Sequence, residues 1–255
     1  MGLCLLINRV NIIRWHIMDN KVIAIHQPNL FPWLGYYSKI NKSDVFVFLE
    51  HTINNRTDTI YTRRVQILNT QGEASYLTIP IKKIDGSDFG PINQWEINFD
   101  QAGFPRKQLE SLKQTYGKLP YFNEVFPLIE KLFDSSLKLN LVDRNIHFIK
   151  ETCRLLEIKT PFLVSSEIDT RGNSTELLIS IVSHLEGTHY LSGKGGDNYQ
   201  DPEMFKNANI VLDRIGYKHP VYSQEKSKEF TPGLSIIDCL MNLGFKETSK
   251  LIKLG

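Results

Sequence analysis

Few residue types or patterns are abundant in this chain, and the shortages exclude whole classes of protein. Cysteine occurs three times in 255 residues, as Cys4, Cys153 and Cys239, never in a C-x-x-C pair and never beside a histidine. That spacing argues against a zinc site or a disulfide framework and predicts a reducing, cytoplasmic setting. An excess of one charge is also missing. The 30 Lys and Arg nearly balance the 28 Asp and Glu, and the formal net charge is +2. With no basic run beyond a few residues, no nucleic-acid partner is expected. No apolar run is long enough to cross a membrane. The first seventeen residues interrupt Leu3, Leu5, Leu6 and Ile7 with Arg9 and Arg14, which is not a secretory signal. There is no internal repeat and no low-complexity tract. The acids Asp197, Asp201 and Glu203 sit close together, but on a loop such a group is expected to face solvent, so no metal site is expected.

The remainder is ordinary. With 41% hydrophobic and 23% charged residues, the chain can bury one sizeable core. We expect a single α/β domain over residues 18–255 with a helical insertion at about 104–156. Residues 1–17, ahead of Met18, are expected to be a leader from an upstream start codon, non-native or disordered. Composition carries no signal for the oligomeric state or for a cofactor.

Periodicity gives the layout. The runs 22–25 and 45–49 are short and continuously apolar, as buried parallel strands are. Residues 61–68 and 76–81 flank Asn69-Thr70-Gln71-Gly72 and predict a hairpin, placed to roof the end of the first strand. Val142, Ile146, Ile149, Cys153 and Leu156 alternate steps of four and three, which predicts one stripe of a helix; His147 lies off it and should face solvent. Phe162–Val164, a helix capped through Asn173-Ser174-Thr175-Glu176, and a strand at 189–191 predict a βαβ unit with a right-handed crossover. A strand at 210–215 and a closing helix around Ile236–Met241 complete an α/β fold with a mostly parallel sheet.

Two loops carry the chemistry. In the first, Pro28 and Pro32 forbid both a continuing ladder and an early helix, so His26, Gln27 and Asn29 fall at the carboxyl end of a strand, where open α/β sheets bind ligands. A tight turn that happens to hold a histidine is the plain alternative. His26 has three readings: general acid or base, donor to a ligand phosphate or carboxylate, and satisfied structural imidazole. Glu50 follows the second strand as His26 follows the first. Parallel strands lie about 5 Å apart, which puts a carboxylate–imidazole contact within reach. Arg64, or Arg56, would then hold an anion in a bidentate fork. In the second loop, Ser192-Gly193-Lys194-Gly195-Gly196-Asp197 follows a strand and lacks the Gly-Lys-Ser/Thr ending of a P-loop. Its glycines let backbone N–H groups converge on an oxyanion, and Lys194 adds a point charge. Glycine-rich turns that bind nothing are common at such places. His219, Tyr222 and Gln224 form a further polar-aromatic turn, and Trp33, Tyr36 and Tyr37 suit core or pocket wall. Asp238 is placed in support of the site at most.

Three blocks recur together in this chain. The first is His26-Gln27-Pro28 and Phe31-Pro32-Trp33-Leu34-Gly35-Tyr36, then Asp44-Val45-Phe46-Val47, Arg64 and Ile67; the second is Tyr76-Leu77-Thr78-Ile79-Pro80. The third is Tyr190-Leu191-Ser192-Gly193-Lys194-Gly195-Gly196, with Tyr199, Phe205, His219-Pro220, Tyr222, Gln224 and Leu234-Ser235-Ile236-Ile237-Asp238. In these blocks the chain resembles the WbqC-like proteins found among bacterial surface-polysaccharide genes. Glu50 stands where the family usually has Asp, and Arg63 precedes Arg64 where an amide is more usual. The resemblance implies a role in O-antigen assembly, with transfer of an amino acid, glycine, onto a sugar. Taken with the two loops, it leads us to expect a transferase that joins an amino acid or another acyl group to a sugar or nucleotide-sugar. His26 and Glu50 are the expected catalytic residues, and Gln27, Asn29, Trp33, Arg64, the 192–196 loop, Tyr199, His219, Tyr222 and Gln224 are expected to bind substrate. Two alternatives stay open: nucleotidyl or ATP-dependent ligase chemistry, and a non-catalytic glycan-binding or partner protein. Trp33-x-Gly35-Tyr36 has the layout of the His-x-Gly-His signature of nucleotidyltransferase-like enzymes, but both histidines are replaced.

Overall fold

The computed structural model describes residues 20–52, 60–82, 90–193, 195–196 and 200–255. Its centre is a five-stranded, wholly parallel sheet in the order β5-β2-β1-β6-β7. The strands are β1 (Val22–His26), β2 (Val45–Phe48), β5 (Phe162–Val164), β6 (His189–Ser192) and β7 (Val211–Arg214). Between β2 and β5 the chain forms the antiparallel hairpin β3 (Arg64–Leu68) and β4 (Ala74–Thr78). The hairpin arms are shorter than the sequence suggests, because residues 60–62 turn as a 3-10 helix and Pro80 interrupts the second arm.

The strands at the centre are apolar on both faces because helices cover both. Ala24, Phe46 and Phe48 enter one core, whereas Ile23, Ile25 and Val47 enter a second on the opposite face. That is the two-residue period of a strand expressed as two layers. The first core is the larger and takes in α1 (Leu34–Asn41), α3 (Phe122–Leu132), α4 (Leu141–Leu155) and α7 (Ile236–Leu254). The second packs under α5 (Thr175–His184) and α6 (Pro202–Asn207). The expected helical insertion is α2 (Arg106–Tyr116), α3 and α4, and the stripe Val142, Ile146, Ile149, Cys153 and Leu156 is buried as anticipated. Asn140 caps α4 by accepting from the Asp143 N–H at 2.8 Å, and Asp201 caps α6 from the Glu203 N–H at 2.9 Å. The sequence pattern put the cap of α5 at Asn173; the helix instead starts behind Ser174, one residue later.

One connection differs in consequence from a simple βαβ unit. After β5 the chain passes through α5 and returns to pair β6 with β1, on the far side of the first strand from β2. The strand order therefore reverses between β1 and β6. In an open parallel sheet that reversal opens a crevice beyond the carboxyl ends of the two strands, since their following loops leave in opposite directions.

Candidate functional site

His26 is the last residue of β1 and is partly exposed at that edge. Its Nδ1 lies 3.1 Å from the Gln27 carbonyl, so Nδ1 carries the proton and Nε2 is left as an acceptor. The ring packs edge-on to Tyr36, centroids 4.8 Å apart, and the Tyr36 hydroxyl donates to the same Gln27 carbonyl at 2.9 Å. Burial, and the nearby positive charge of Lys39, lower its pKa to about 3. His26 is thus a neutral imidazole at physiological pH.

The loop after His26 is held from several sides. Asn145 on α4 donates to the Pro28 carbonyl at 3.0 Å and to Thr62 at 2.7 Å, and the Leu30 N–H donates to Tyr61 at 2.8 Å. Phe31 is fully buried with φ +38, a left-handed conformation that a bulky side chain takes only under constraint, and Ser235 fixes its carbonyl at 2.8 Å. Gln27 donates to Thr52 Oγ1 at 2.9 Å, and Asn29 is buried. Trp33, at the start of α1, folds back over Gly35: a Cβ there would lie 2.4 Å from the indole.

Glu50 is placed differently from the expectation. Its carboxylate does not meet His26; it accepts from the Ser165 hydroxyl beyond β5 and from the Ser166 N–H at 3.2 Å. Ser165 Oγ is also 2.8 Å from His51 Nδ1, which itself lies 3.7 Å from Glu50. Serine, histidine and a carboxylate meet here, but not as a nucleophile triad. In a triad the acid engages the imidazole nitrogen remote from the serine. Here the acid and the serine lie on the same nitrogen, and Ser165 is fully buried. The cluster pins the end of β2 to the end of β5.

Arg64 is placed on the hairpin. Its guanidinium lies over the Tyr76 ring at 3.9 Å, a cation–π contact across the hairpin. Of the 192–196 loop, Lys194 falls outside the described residues, as do Tyr199, Asp197 and Arg56. Ser192 is buried and donates to Gln200 Oε1 at 2.8 Å; Gln200 donates onward to the Tyr190 hydroxyl at 3.2 Å and also accepts from Arg214. Gly196 lies close under the Gln200 amide: a Cβ there would come within 2.4 Å of it. Among the described residues, no atom lies within 4 Å of a Cβ built on Gly193 or Gly195. These two glycines form a rim, and Ser192 is the latch beneath it.

His219 sits among Trp33, Tyr217, Tyr222 and Phe230, stacked on the indole at 6.1 Å and 20°. Nδ1 is bound to the Pro220 carbonyl at 2.9 Å, and Nε2 is buried without a partner among the described residues. Tyr222 donates to Asp238 Oδ1 at 2.8 Å, and burial raises the Asp238 carboxyl to about 6. Gln224 bonds both backbone groups of Thr231, at 2.8 and 2.9 Å, and its side chain also interacts with Tyr222 and Asp238. The segment that carries these residues leaves β7 beside Ser192, where Ile215 N–H donates to its carbonyl at 3.0 Å, and reaches Trp33 at the head of α1. It therefore spans the same edge of the sheet as the crevice.

Sequence reasoning overlooked Lys39. It lies on α1, a helix whose residues 34–40 are all buried, and its Nζ donates to the Ile25 carbonyl at 2.7 Å. A charged residue inside an otherwise apolar and aromatic turn of helix, directly after a site loop, was the available signal. The buried Cys153 and Cys239 have thiols raised by burial, Cys239 to about 12, as core residues do. Among the described residues no group of three or more His, Cys, Asp or Glu comes together to hold a metal. A groove of about 250 Å³ between the hairpin and α2, lined by Tyr76, Thr78, Lys107 and Gln108, is built from hairpin and helix surface, with no residue of the β1 or β6 loops.

The fold is that of an open, wholly parallel α/β sheet whose strand order reverses between β1 and β6. The chain belongs to the WbqC-like protein family, whose model matches residues 27–250. It is similar to the uncharacterised protein Rv1507c of Mycobacterium tuberculosis (strain ATCC 25618 / H37Rv), 25% identical over 224 residues, which is 88% of this chain and 94% of that protein. No solved structure matches. No helix of the described residues is long and apolar enough to cross a membrane.

Proposed function

We propose that this protein is a transferase of surface-polysaccharide assembly that joins an amino acid, such as glycine, or another acyl group to an amino sugar or nucleotide-sugar held at the carboxyl edge of the sheet. Membership of the WbqC-like family supports the polysaccharide setting. The observation that carries the ligand site is the divergence of β1 and β6, whose register ends at Ala24 and Leu191, with His26 on one lip and Gly193, uncrowded among the described residues, on the other. In this reading the acceptor amine adds directly to the carbonyl of an activated donor such as an acyl thioester; the new N–C bond forms, and as the tetrahedral oxyanion collapses the C–S bond breaks and the thiol leaves. Backbone donors of the glycine rim steady the oxyanion. His26 accepts the hydrogen bond of the attacking amine or hydroxyl at Nε2. It takes the proton only once a bound anion raises its basicity, because a nearby negative charge favours the imidazolium.

The test is a thermal-shift panel of nucleotide-sugars, acyl-CoA, free amino acids and ATP with magnesium, run on the wild type, His26→Ala and Gly193→Leu. Among the described residues no atom crowds a Cβ at this position, so Gly193→Leu should melt with the wild type yet lose the ligand-induced shift. A shift that survives in Gly193→Leu removes the rim from the site. The strand order, shared with nucleotide-binding folds, favours one second reading, an ATP-dependent ligase or nucleotidyltransferase. It requires stabilisation by ATP with magnesium and release of pyrophosphate.

A further inference from the structure

The carbonyl of Ile25 marks the point where the sheet comes apart. The neighbouring His26 carbonyl accepts from Leu49 N–H on the β2 side at 2.9 Å, and carbonyls alternate along a strand. Ile25 therefore directs its oxygen toward β6. The β1–β6 register has stopped one residue earlier, and the oxygen that would receive the next β6 amide receives Lys39 Nζ at 2.7 Å instead. An ammonium in the gap between two parting strands is an unusual plug. It has three N–H donors, and the Ile25 oxygen satisfies one of them. Its other contact is the face of Tyr190, 5.9 Å away, and among the described residues no carboxylate lies within ion-pair distance. Lys39 is 4% exposed, so bulk solvent covers little of it. A buried ammonium short of acceptors is costly.

We infer that Lys39 is the cation of the crevice and that its unused donors receive a phosphoryl oxygen of a ligand carrying a diphosphate diester. This rests on the ligand site of the proposed function and adds the chemical class of its anion. A diphosphate fits because the chain at Gly193, two residues beyond the Leu191 partner of Ala24, can offer backbone donors to its other oxygens. Among the described residues, the groups facing Lys39 are His26 on β1, neutral in the free protein, and Tyr190 on β6, whose hydroxyl is engaged by Gln200. Arg214 on β7 is held by Gln200 and adds positive charge nearby. None of them neutralises the ammonium. Burial lowers the Lys39 pKa to about 7, so the empty site is partly deprotonated at neutral pH, and an anion that favours the ammonium must draw in a proton.

Titration calorimetry on the full chain with UDP-glucose and ADP-ribose tests this, because neither diphosphate diester titrates near neutral pH. At pH 7, in buffers of different ionisation enthalpy, binding should take up roughly half a proton, and affinity should be greater at pH 6 than at pH 8.5. Lys39→Met should weaken binding at least about tenfold and abolish the proton uptake. Lys39→Arg, which keeps a fixed charge, should restore affinity without the uptake. Equal affinity in Lys39→Met, absence of proton uptake in the wild type, or failure of both probes to bind would overturn the inference. If the probes bind through Lys39 while no sugar-bearing or acyl donor is turned over, the anion site stands and the transferase reading falls. If nucleotide-sugars bind equally well to Lys39→Met, the inference falls alone.

Discussion

His26 and Lys39 are a pair of cationic side chains whose charge is suppressed by the same surroundings. Each is set against the β1 edge, each would cost free energy to protonate there, and Lys39 contributes to holding His26 neutral. The two shifts have distinct pH signatures. For His26 the folded pKa, about 3, lies below the unfolded value of 6.5. Between those values the unfolded chain binds a proton that the folded chain does not, so stability is lost as pH falls through that window. His26→Ala removes this contribution. Urea unfolding of the wild type should therefore weaken more steeply than that of His26→Ala between pH 6.5 and pH 4, and identical slopes would mean that the ring protonates freely at the edge. A histidine followed by Gln-Pro stands out in the sequence; the direction in which the protein shifts its titration is set by burial and by Lys39, which only folding brings to it.

The loop between β1 and α1 keeps its shape because other elements supply its hydrogen bonds. Asn145 is the clearest case, since one buried amide on α4 satisfies Pro28 in the loop and Thr62 ahead of the hairpin. Replacing it by Ala strands two buried carbonyls, which costs roughly 2–4 kcal/mol. Equilibrium unfolding of Asn145→Ala should show that loss together with a weaker ligand-induced thermal shift. A stability change below about 0.5 kcal/mol would show that water replaces the amide. Asn145 sits within the stripe of α4, next to Ile146, and helical periodicity alone gives it no role. The hairpin, conversely, was legible from its Asn-Thr-Gln-Gly turn. The position of Arg64 on Tyr76 was not, because it depends on the register that pairs Arg64 with Thr78 and Gln66 with Tyr76.

At the scale of the molecule, the helical segment α2–α4 and the sheet share one hydrophobic core: Phe31 from the site loop packs on Phe148 of α4 at 4.5 Å, and α7 touches both α1 and α3. A separate lobe would have its own core. We therefore expect calorimetric unfolding as one cooperative transition, with the calorimetric and van't Hoff enthalpies equal. Two resolved transitions would make residues 106–155 an independent unit. The same shared core links ligand binding to global stability, and this linkage makes thermal shift a suitable first readout.

The sequence by itself determined the α/β class, the sites of most strands and helices, and the two polar loops, because each is written in local signals: continuous apolar runs for doubly covered strands, steps of three and four for α4, prolines and glycines for the loops. Only the tertiary structure decided that β6 pairs with β1 and so opens the crevice between them, that Glu50 joins Ser165 and His51 rather than His26, and that Lys39 fills the parting of the sheet. Those outcomes depend on which strands lie side by side. That choice is made by burial of whole faces in two cores, a property of the assembled chain that no window of neighbouring residues contains.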